Sequence, residues 1–444
     1  MKILLVNPPV DYHVPVYFQS ESLGLGYIAS VLRRDGFEVE ILDAQLQGFD
    51  VKRTIFEILA KNFDCLGITA AHAHKKVLPF IAKAVRSKRK DVLIIVGGYL
   101  PSLSTEQLLP ACPEIDFAIR GEGEISTPDI FRRIAQGKDW HDAPGVAFMD
   151  GNSPVLNPLP PLVQDMDSLP FPARDALMNA PSHMSPRIAG SRGCYHRCSF
   201  CCIQSFYALS GKHTPRFRSA QNIVNEIESI IALTGRKEIR FIDDDFIGPG
   251  AKSKERVISI AEEIRGRKLG INFAIECRPD EVDEDILKLL KEVGLTEVFL
   301  GVESGVQRQL DTYNKRTTVE QNKLAIEMVR RCGLKLRSGF IMFDPYMTVA
   351  DLVQNMEFLN ETGIADETRK ISPVQFLSKV HVYPGVPLVE QLEKDGLLRR
   401  KGIDVDYVFE DPWMRMIFNF LGVLGACSEF FICLRRRNVK KGTR

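Results

Sequence analysis

Residues 190–206 read GSRGCYHRCSFCCIQSF, and four of the chain's ten cysteines fall between Cys194 and Cys202. Cys194, Cys198 and Cys201 form a CxxxCxxC run. Thiolates at that spacing on one loop can wrap a single metal centre, and soft sulfur ligands select zinc or an iron–sulfur cluster. A closed structural zinc site takes four ligands, and His196, Cys202 or His213 would have to supply the fourth. Three thiolates alone leave one iron of a cubane cluster open to a substrate or cofactor. Cys202 competes with Cys201 for the third position, since Cys198 to Cys202 is a four-residue step.

The elements that must position this loop alternate along the chain. Lys2–Val6, Glu38–Leu42, Cys65–Thr69, Asp91–Val96 and Ile115–Ile119 are short apolar runs that read as buried parallel strands. Leu23–Arg34, Val51–Asn62 and Val77–Ser87 have helical spacing between them. This pattern predicts an α/β fold whose first unit, residues 1–137, is a doubly wound, Rossmann-like parallel sheet. Such sheets bind ligands at the carboxyl ends of their strands, which here carry Asn7, Thr69, Gly97, Gly98 and Gly121.

Residues 138–185 lose periodicity and gain proline, and read as a linker. Alternation returns over 186–390, with candidate strands at Arg187–Ser191, Glu238–Ile242, Asn272–Glu276, Glu297–Gly301, Lys335–Met342 and Gln375–Tyr383. Six strands separated by helices predict a partial (β/α)6 TIM-type barrel with its site at the strand C-termini. The cysteine run directly follows the first of them, where a closed zinc knuckle would block the mouth. Residues 391–444 read as a helical extension, apolar between Met416 and Leu434. That stretch suits either a helix closing the barrel or a membrane-lying or spanning one, although Asn419, Ser428 and Glu429 interrupt it. The segment 390–434 is also expected to close over the site and shield it from water.

Composition sets the outer bounds. The 444 residues are 45% hydrophobic and 26% charged, with a net charge of +1, which argues against bulk electrostatic binding to nucleic acid. The start, MKILLVNPP, is too short in its apolar run for a signal peptide. Cys65, Cys112, Cys277, Cys332, Cys427 and Cys433 are scattered singly, as buried free thiols would be. A cytoplasmic, oxygen-poor setting is the expectation.

The ordered motifs resemble the radical S-adenosylmethionine (SAM) superfamily, in the subfamily with an N-terminal cobalamin-binding domain. The likeness rests on SRGCYHRCSFC (191–201), RFRS (216–219), FIDDDF (241–246), GVESG (301–305) and VYPGVPL (382–388). The first domain adds NPP (7–9), LGLGYIASVLRRDG (23–36), GG (97–98) and RGEGE (120–124). The resemblance implies that Cys194, Cys198 and Cys201 hold a [4Fe–4S] cluster whose open iron binds SAM. By the same token Phe200 is an apolar wall for adenine, Arg218 a carboxylate partner, and Glu303 and Ser304 ribose or ammonium contacts. Asp243–Asp245 stand where many relatives carry Gly-Gly-Glu, which leaves the ammonium contact open.

Cobalamin is implied for the first domain, with Asn7, Thr69, Gly97, Gly98 and Tyr99 as its contacts. The family's Asp-x-His-x-x-Gly ligand motif is missing, Tyr99 follows Gly97-Gly98 where relatives commonly show Pro-His, and ITAAHAH (68–74) also faces that end. With cobalamin, the implied reaction is methylation of an unactivated carbon in a small metabolite. Without it, radical dehydration, epimerisation or rearrangement of a sugar-like metabolite remains, and FDPYMT (343–348) departs from the common loop that would fix the substrate class. Implied partners are a small-molecule substrate and an electron donor such as flavodoxin or ferredoxin. Glu276, Arg278, Lys379, His381 and Tyr383, at strand ends, are candidate pocket residues. A non-catalytic iron–sulfur or zinc scaffold is the alternative of another class; it predicts no SAM affinity.

Overall fold

The computed structural model describes residues 1–10, 21–211, 214–365 and 378–421. The first unit is built on β1 (Lys2–Asn7), β2 (Glu38–Asp43), β3 (Cys65–Thr69), β4 (Leu93–Gly97) and β5 (Phe117–Ile119), all parallel. Five of the six β1 residues are buried, as a strand covered by helices on both faces must be. The strand order β2-β1-β3-β4-β5 reverses direction between β1 and β3. Connections leave that point toward opposite faces and open a crevice at the strand C-termini, where Asn7 and Thr69 lie.

The sheet has two further strands, and they come from the segment read as a linker. β6 (Val146–Asp150) pairs antiparallel with β5, and β7 (Ser153–Leu156) with β6. A tight turn at Gly151, at φ +58°, joins them. Pro154 is tolerated because β7 is an edge strand, and the same proline density hides the hairpin in the sequence.

In the second unit, β8 (Arg187–Ile188) is followed by a two-residue strand, β9 (Ser191–Arg192), which leaves the barrel and pairs antiparallel with β10 (Arg216–Phe217). The expected single strand Arg187–Ser191 is thus broken. Asp243 accepts from Gly190 N–H at 2.9 Å and Ser191 Oγ at 2.5 Å and draws the chain out of the sheet. β8 joins β11 (Glu238–Phe241), β12 (Asn272–Cys277), β13 (Leu295–Glu303) and β14 (Lys335–Phe340) in a five-stranded parallel sheet. A single parallel bridge, Phe343 to Lys379, marks the sixth position of this partial barrel. Most of the expected strand Gln375–Tyr383 shows only that bridge, and residues 366–377 lie outside the described residues. Apolar faces of the intervening helices, such as Ile223, Ile227 and Ile230, close the core against Phe241 and Phe273.

The C-terminal extension is only partly helical: it opens on the last turn of the helix Pro387–Lys394 and then turns into strands. β15 (Leu398–Lys401) and β16 (Asp404–Tyr407) form an antiparallel hairpin, and a helix runs from 412 to 421. Phe418 on that helix packs on Phe343 and Phe409 at ring distances of 5.1 and 5.2 Å. The rest of the apolar stretch lies outside the described residues, among which no helix is long and apolar enough to cross a membrane.

Candidate functional site

The cysteine loop leaves β9 and ends at the helix Cys202–Ala208, of which Cys201 is the N-cap residue. It is tied to the turn after the helix Gln307–Thr312. Ser199 donates from N to Tyr313 O at 2.8 Å and from Oγ to Thr312 O at 2.9 Å, and Asn314 Nδ2 donates to Arg197 O at 2.7 Å. Cys198 interacts electrostatically with both Cys194 and Cys201, and Cys202, which also interacts with Cys201, packs on the apolar core. Burial pushes the Cys194 thiol up to about 12, the Cys202 thiol to about 11, and raises Cys201 further. Unaided, these thiols stay protonated at neutral pH; a bound cation reverses that by favouring the thiolate. His196, weighed above as a fourth zinc ligand, has its Nε2 3.2 Å from Glu281 Oε1. His213 is outside the described residues.

The three aspartates after β11 differ sharply. Asp243 is fully buried and saturated by Gly190, Ser191 and Arg256 Nη2 at 2.7 Å. Asp245 is 5% exposed, yet neither carboxylate oxygen has a hydrogen-bond partner. His196 Nε2 is 3.9 Å from it. Burial, with Glu281 adding to it, lifts its pKa to about 6. Asp244 is open to the cavity described below but enclosed by protein. It accepts from Gly193 N–H at 3.2 Å, and burial followed by Asp243 raises its pKa to about 7.

Other anticipated residues are placed as follows. Phe200 lies edge-on to Tyr313 at 5.5 Å. Arg218 is buried and committed: it pairs with Glu226 and donates from Nε to Asn222 Oδ1 at 2.7 Å and from Nη1 to Ala189 O at 3.2 Å. Ser304 is fully buried in a knot with Gln309, Asn355 and Val306 N–H. Glu303, at φ +62°, pairs with Lys315 Nζ at 3.2 Å. Glu276 is raised by burial against the pull of Arg187 and Arg240. Lys379 and Tyr383 lie elsewhere: Lys379 pairs with Asp406 of the C-terminal hairpin at 2.6 Å, and Tyr383, at the seam with the first unit, meets the His72 ring at 5.3 Å. His381 is exposed.

That seam continues as a buried ion network. Arg192, two residues before Cys194, bridges Glu122 at 2.9 Å and Glu124 at 2.7 Å; Arg216 also holds Glu122, at 2.8 Å. Burial raises the Glu122 carboxyl, but Arg216 and Arg192 outweigh it and leave its pKa lowered. Arg174, in the expected linker, joins Glu21 of the first unit to Glu226 of the second. Sequence reasoning missed this clamp, though RGEGE and SRGC were both in view; their partners are far apart in the chain.

A cavity of about 510 Å³ lies at the C-terminal ends of β1, β3 and β4, lined by Asn7, Thr69, Gly97, Gly98 and Tyr99. Its other wall belongs to the second unit, with Ser191, Tyr207 and Asp244. Gly98 has φ +104°, and a Cβ there would stand 2.9 Å from Ala70 O. Tyr99 packs on Phe206 of the helix Cys202–Ala208 at 4.6 Å, joining this cavity wall to the cysteine loop. His74, also in the wall, accepts from Ala71 N–H through Nδ1 at 3.0 Å.

The radical SAM superfamily model matches residues 188–359, and the B12 binding domain model matches residues 11–131. The chain therefore carries a radical SAM domain over residues 188–359. Its first unit is a B12-binding domain, so its cofactors are a [4Fe–4S] cluster, SAM and cobalamin. An uncharacterized methyltransferase of Pyrococcus horikoshii is 28% identical over 372 residues, covering 82% of this chain and 79% of that one. The 4'-phospho-dehydrooxetanocin synthase of Priestia megaterium is 29% identical over 392 residues, covering 81% of this chain and 51% of that one. The cobalamin-dependent SAM radical enzyme OxsB, solved with aqua-cobalamin bound, superposes with a TM-score of 0.77 at 23% identity. That match covers 94% of this chain and 66% of OxsB. The chain therefore spans only about half of the synthase and about two-thirds of OxsB.

The donor sets suit these groups. Three soft thiolates with a free side match a cubane cluster, and an orphaned buried carboxylate beside them suits the SAM ammonium. Glycines at the strand ends let a large planar ring approach the backbone.

Proposed function

We propose that the chain methylates an unactivated carbon of a small metabolite, using a cluster held by Cys194, Cys198 and Cys201 together with cobalamin in the first-unit cavity. One observation carries this reading: the cavity at the ends of β1, β3 and β4 is walled on its far side by Ser191, Tyr207 and Asp244, the neighbours of the cysteine loop. A substrate between the two units thus faces both cofactors. When bound, the cluster supplies the electron that splits SAM into methionine and a 5′-deoxyadenosyl radical, and cobalamin supplies the methyl group.

The chain's own residues do the positioning. Asp245 receives the SAM ammonium, since a buried carboxylate without donors gains most from a cation. Phe200, braced edge-on by Tyr313, walls the adenine side. Arg218 and Ser304 act through the framework, because their polar atoms are already engaged. Asp244 is the group that can exchange a proton with a molecule in the cavity. The electron arrives from a separate small redox protein, flavodoxin or ferredoxin in type.

The test needs no known substrate beyond a candidate metabolite pool. Methyl donation consumes one SAM to give S-adenosylhomocysteine, and radical formation consumes another to give 5′-deoxyadenosine. Anaerobically reconstituted protein with retained cobalamin should form both products in step. 5′-Deoxyadenosine without S-adenosylhomocysteine would replace methylation by dehydration, epimerisation or rearrangement. Neither product from a four-iron protein would leave the scaffold reading.

A further inference from the structure

We propose that Arg278 sets the reduction potential of the cluster held by Cys194, Cys198 and Cys201, through a charged hydrogen bond to the Cys198 sulfur. This rests on the reading of those three cysteines as ligands. Arg278 is the first residue after β12 and is 4% exposed. Its Nη1 donates to Cys198 Sγ at 3.6 Å. The rest of the fork is anchored: Nε and Nη2 lie 3.0 Å from the two oxygens of Asp280, and Nη2 also donates to Lys315 O. A guanidinium pinned on two sides has little freedom to aim elsewhere than at the sulfur.

The three cysteines are served unequally. Cys194 Sγ accepts from His196 N–H at 3.5 Å, and Cys201 from the backbone N–H of Ile203. Cys198 takes its donor from a cation. Reduction adds one negative charge to the cluster, and donors on the ligand sulfurs stabilise the reduced form more than the oxidised one. In a site of low dielectric that preference is strong. Asp280 neutralises much of the Arg278 charge, so the pair acts as an oriented donor and the carboxylate tempers its effect.

A merely structural Arg278 would hold the Lys315 turn, and through Lys315 its partner Glu303, without moving the potential. The two roles separate in potentiometric titrations of the full-length reconstituted protein, read by the EPR signal of the reduced cluster without SAM. Arg278→Gln should lower the reduction equilibrium constant about tenfold, which for one electron is about 59 mV. Arg278→Lys should fall between it and the parent protein. Asp280→Asn should shift the potential the other way, because it leaves the Arg278 charge uncompensated. Opposite shifts support the proposal. A four-iron Arg278→Gln protein with the parent potential overturns it, as do shifts of one sign in both variants. Should Arg278→Gln hold no cluster, an upward shift in Asp280→Asn supports the proposal and an unchanged potential overturns it. A parent protein that binds no four-iron cluster contradicts the ligand reading instead, so the two failures are distinguishable.

Discussion

Arg192, in the two-residue strand that feeds the cysteine loop, is paired at 2.9 Å with Glu122 of the B12-binding domain. The residue that launches the loop is therefore also one of those that tie the two units together, with Arg216 and Arg174. Removing one partner of a buried ion pair strands the other charge, at a cost of about 3–5 kcal/mol. Glu122→Gln should lower the denaturant midpoint and speed proteolysis between the units, while Glu38→Gln, an exposed pair with Lys2, should do neither.

The same pair gives a pH dependence with a definite sign. The Glu122 pKa is lowered in the folded protein from the ordinary glutamate value of 4.5. Its contribution is therefore complete above about pH 4.5 and is lost as pH falls through the lower folded value. Proteolysis between the units should rise below that pH in the parent protein. In Glu122→Gln it should already be fast at neutral pH.

Asp243 and Asp245 should part company on substitution. A charge-assisted hydrogen bond contributes about 1.5–3 kcal/mol, so Asp245→Asn should weaken SAM binding roughly 10- to 100-fold with the fold intact. Asp243→Asn removes the charge that pairs with Arg256 and turns one of the two oxygens that hold Gly190, Ser191 and Arg256 into a donor, and should lower thermal stability and iron loading together. SAM titration of the cluster EPR signal and the melting midpoint read the two effects.

Asp244 has its pKa raised to about 7, against the ordinary aspartate value of 3.8. The folded protein then holds a proton that the unfolded chain releases, so stability falls as pH rises from about 4 to 7. Asp244→Asn should be more stable than the parent at pH 8 and equal to it near pH 4, in melts of the cluster-free protein.

Cys201→Ala and Cys202→Ala decide the third ligand. Cys201→Ala should leave the protein short of four irons after reconstitution. Cys202→Ala should load normally, because that thiol packs on the apolar core.

Local regularities were legible in the sequence. Leu23–Arg34 and Cys65–Thr69 appear with the expected bounds, since periodicity and strong flanking signals set them. The β6–β7 hairpin was not, because an edge strand carrying Pro154 lacks the usual strand pattern. The cysteine spacing was plain, but which aspartate stands unsatisfied depends on Gly190, Ser191 and Arg256, partners that no spacing rule connects. The commitment of Arg218 to Glu226, eight residues along the chain, was equally out of reach: an Arg-x-Arg before an N-cap serine reads the same whether its fork is free or bound.

The central claim is that cobalamin and the cluster face one chamber between the two units. Continuous-wave and pulsed EPR on protein carrying both cob(II)alamin and the reduced cluster tests it most directly. The account predicts that the fast-relaxing cluster shortens the electron spin relaxation of the cobalt centre, and that the effect is absent in Cys198→Ala, which has no cluster. Cobalt relaxation identical in the two proteins, each with cobalamin fully retained, would contradict it.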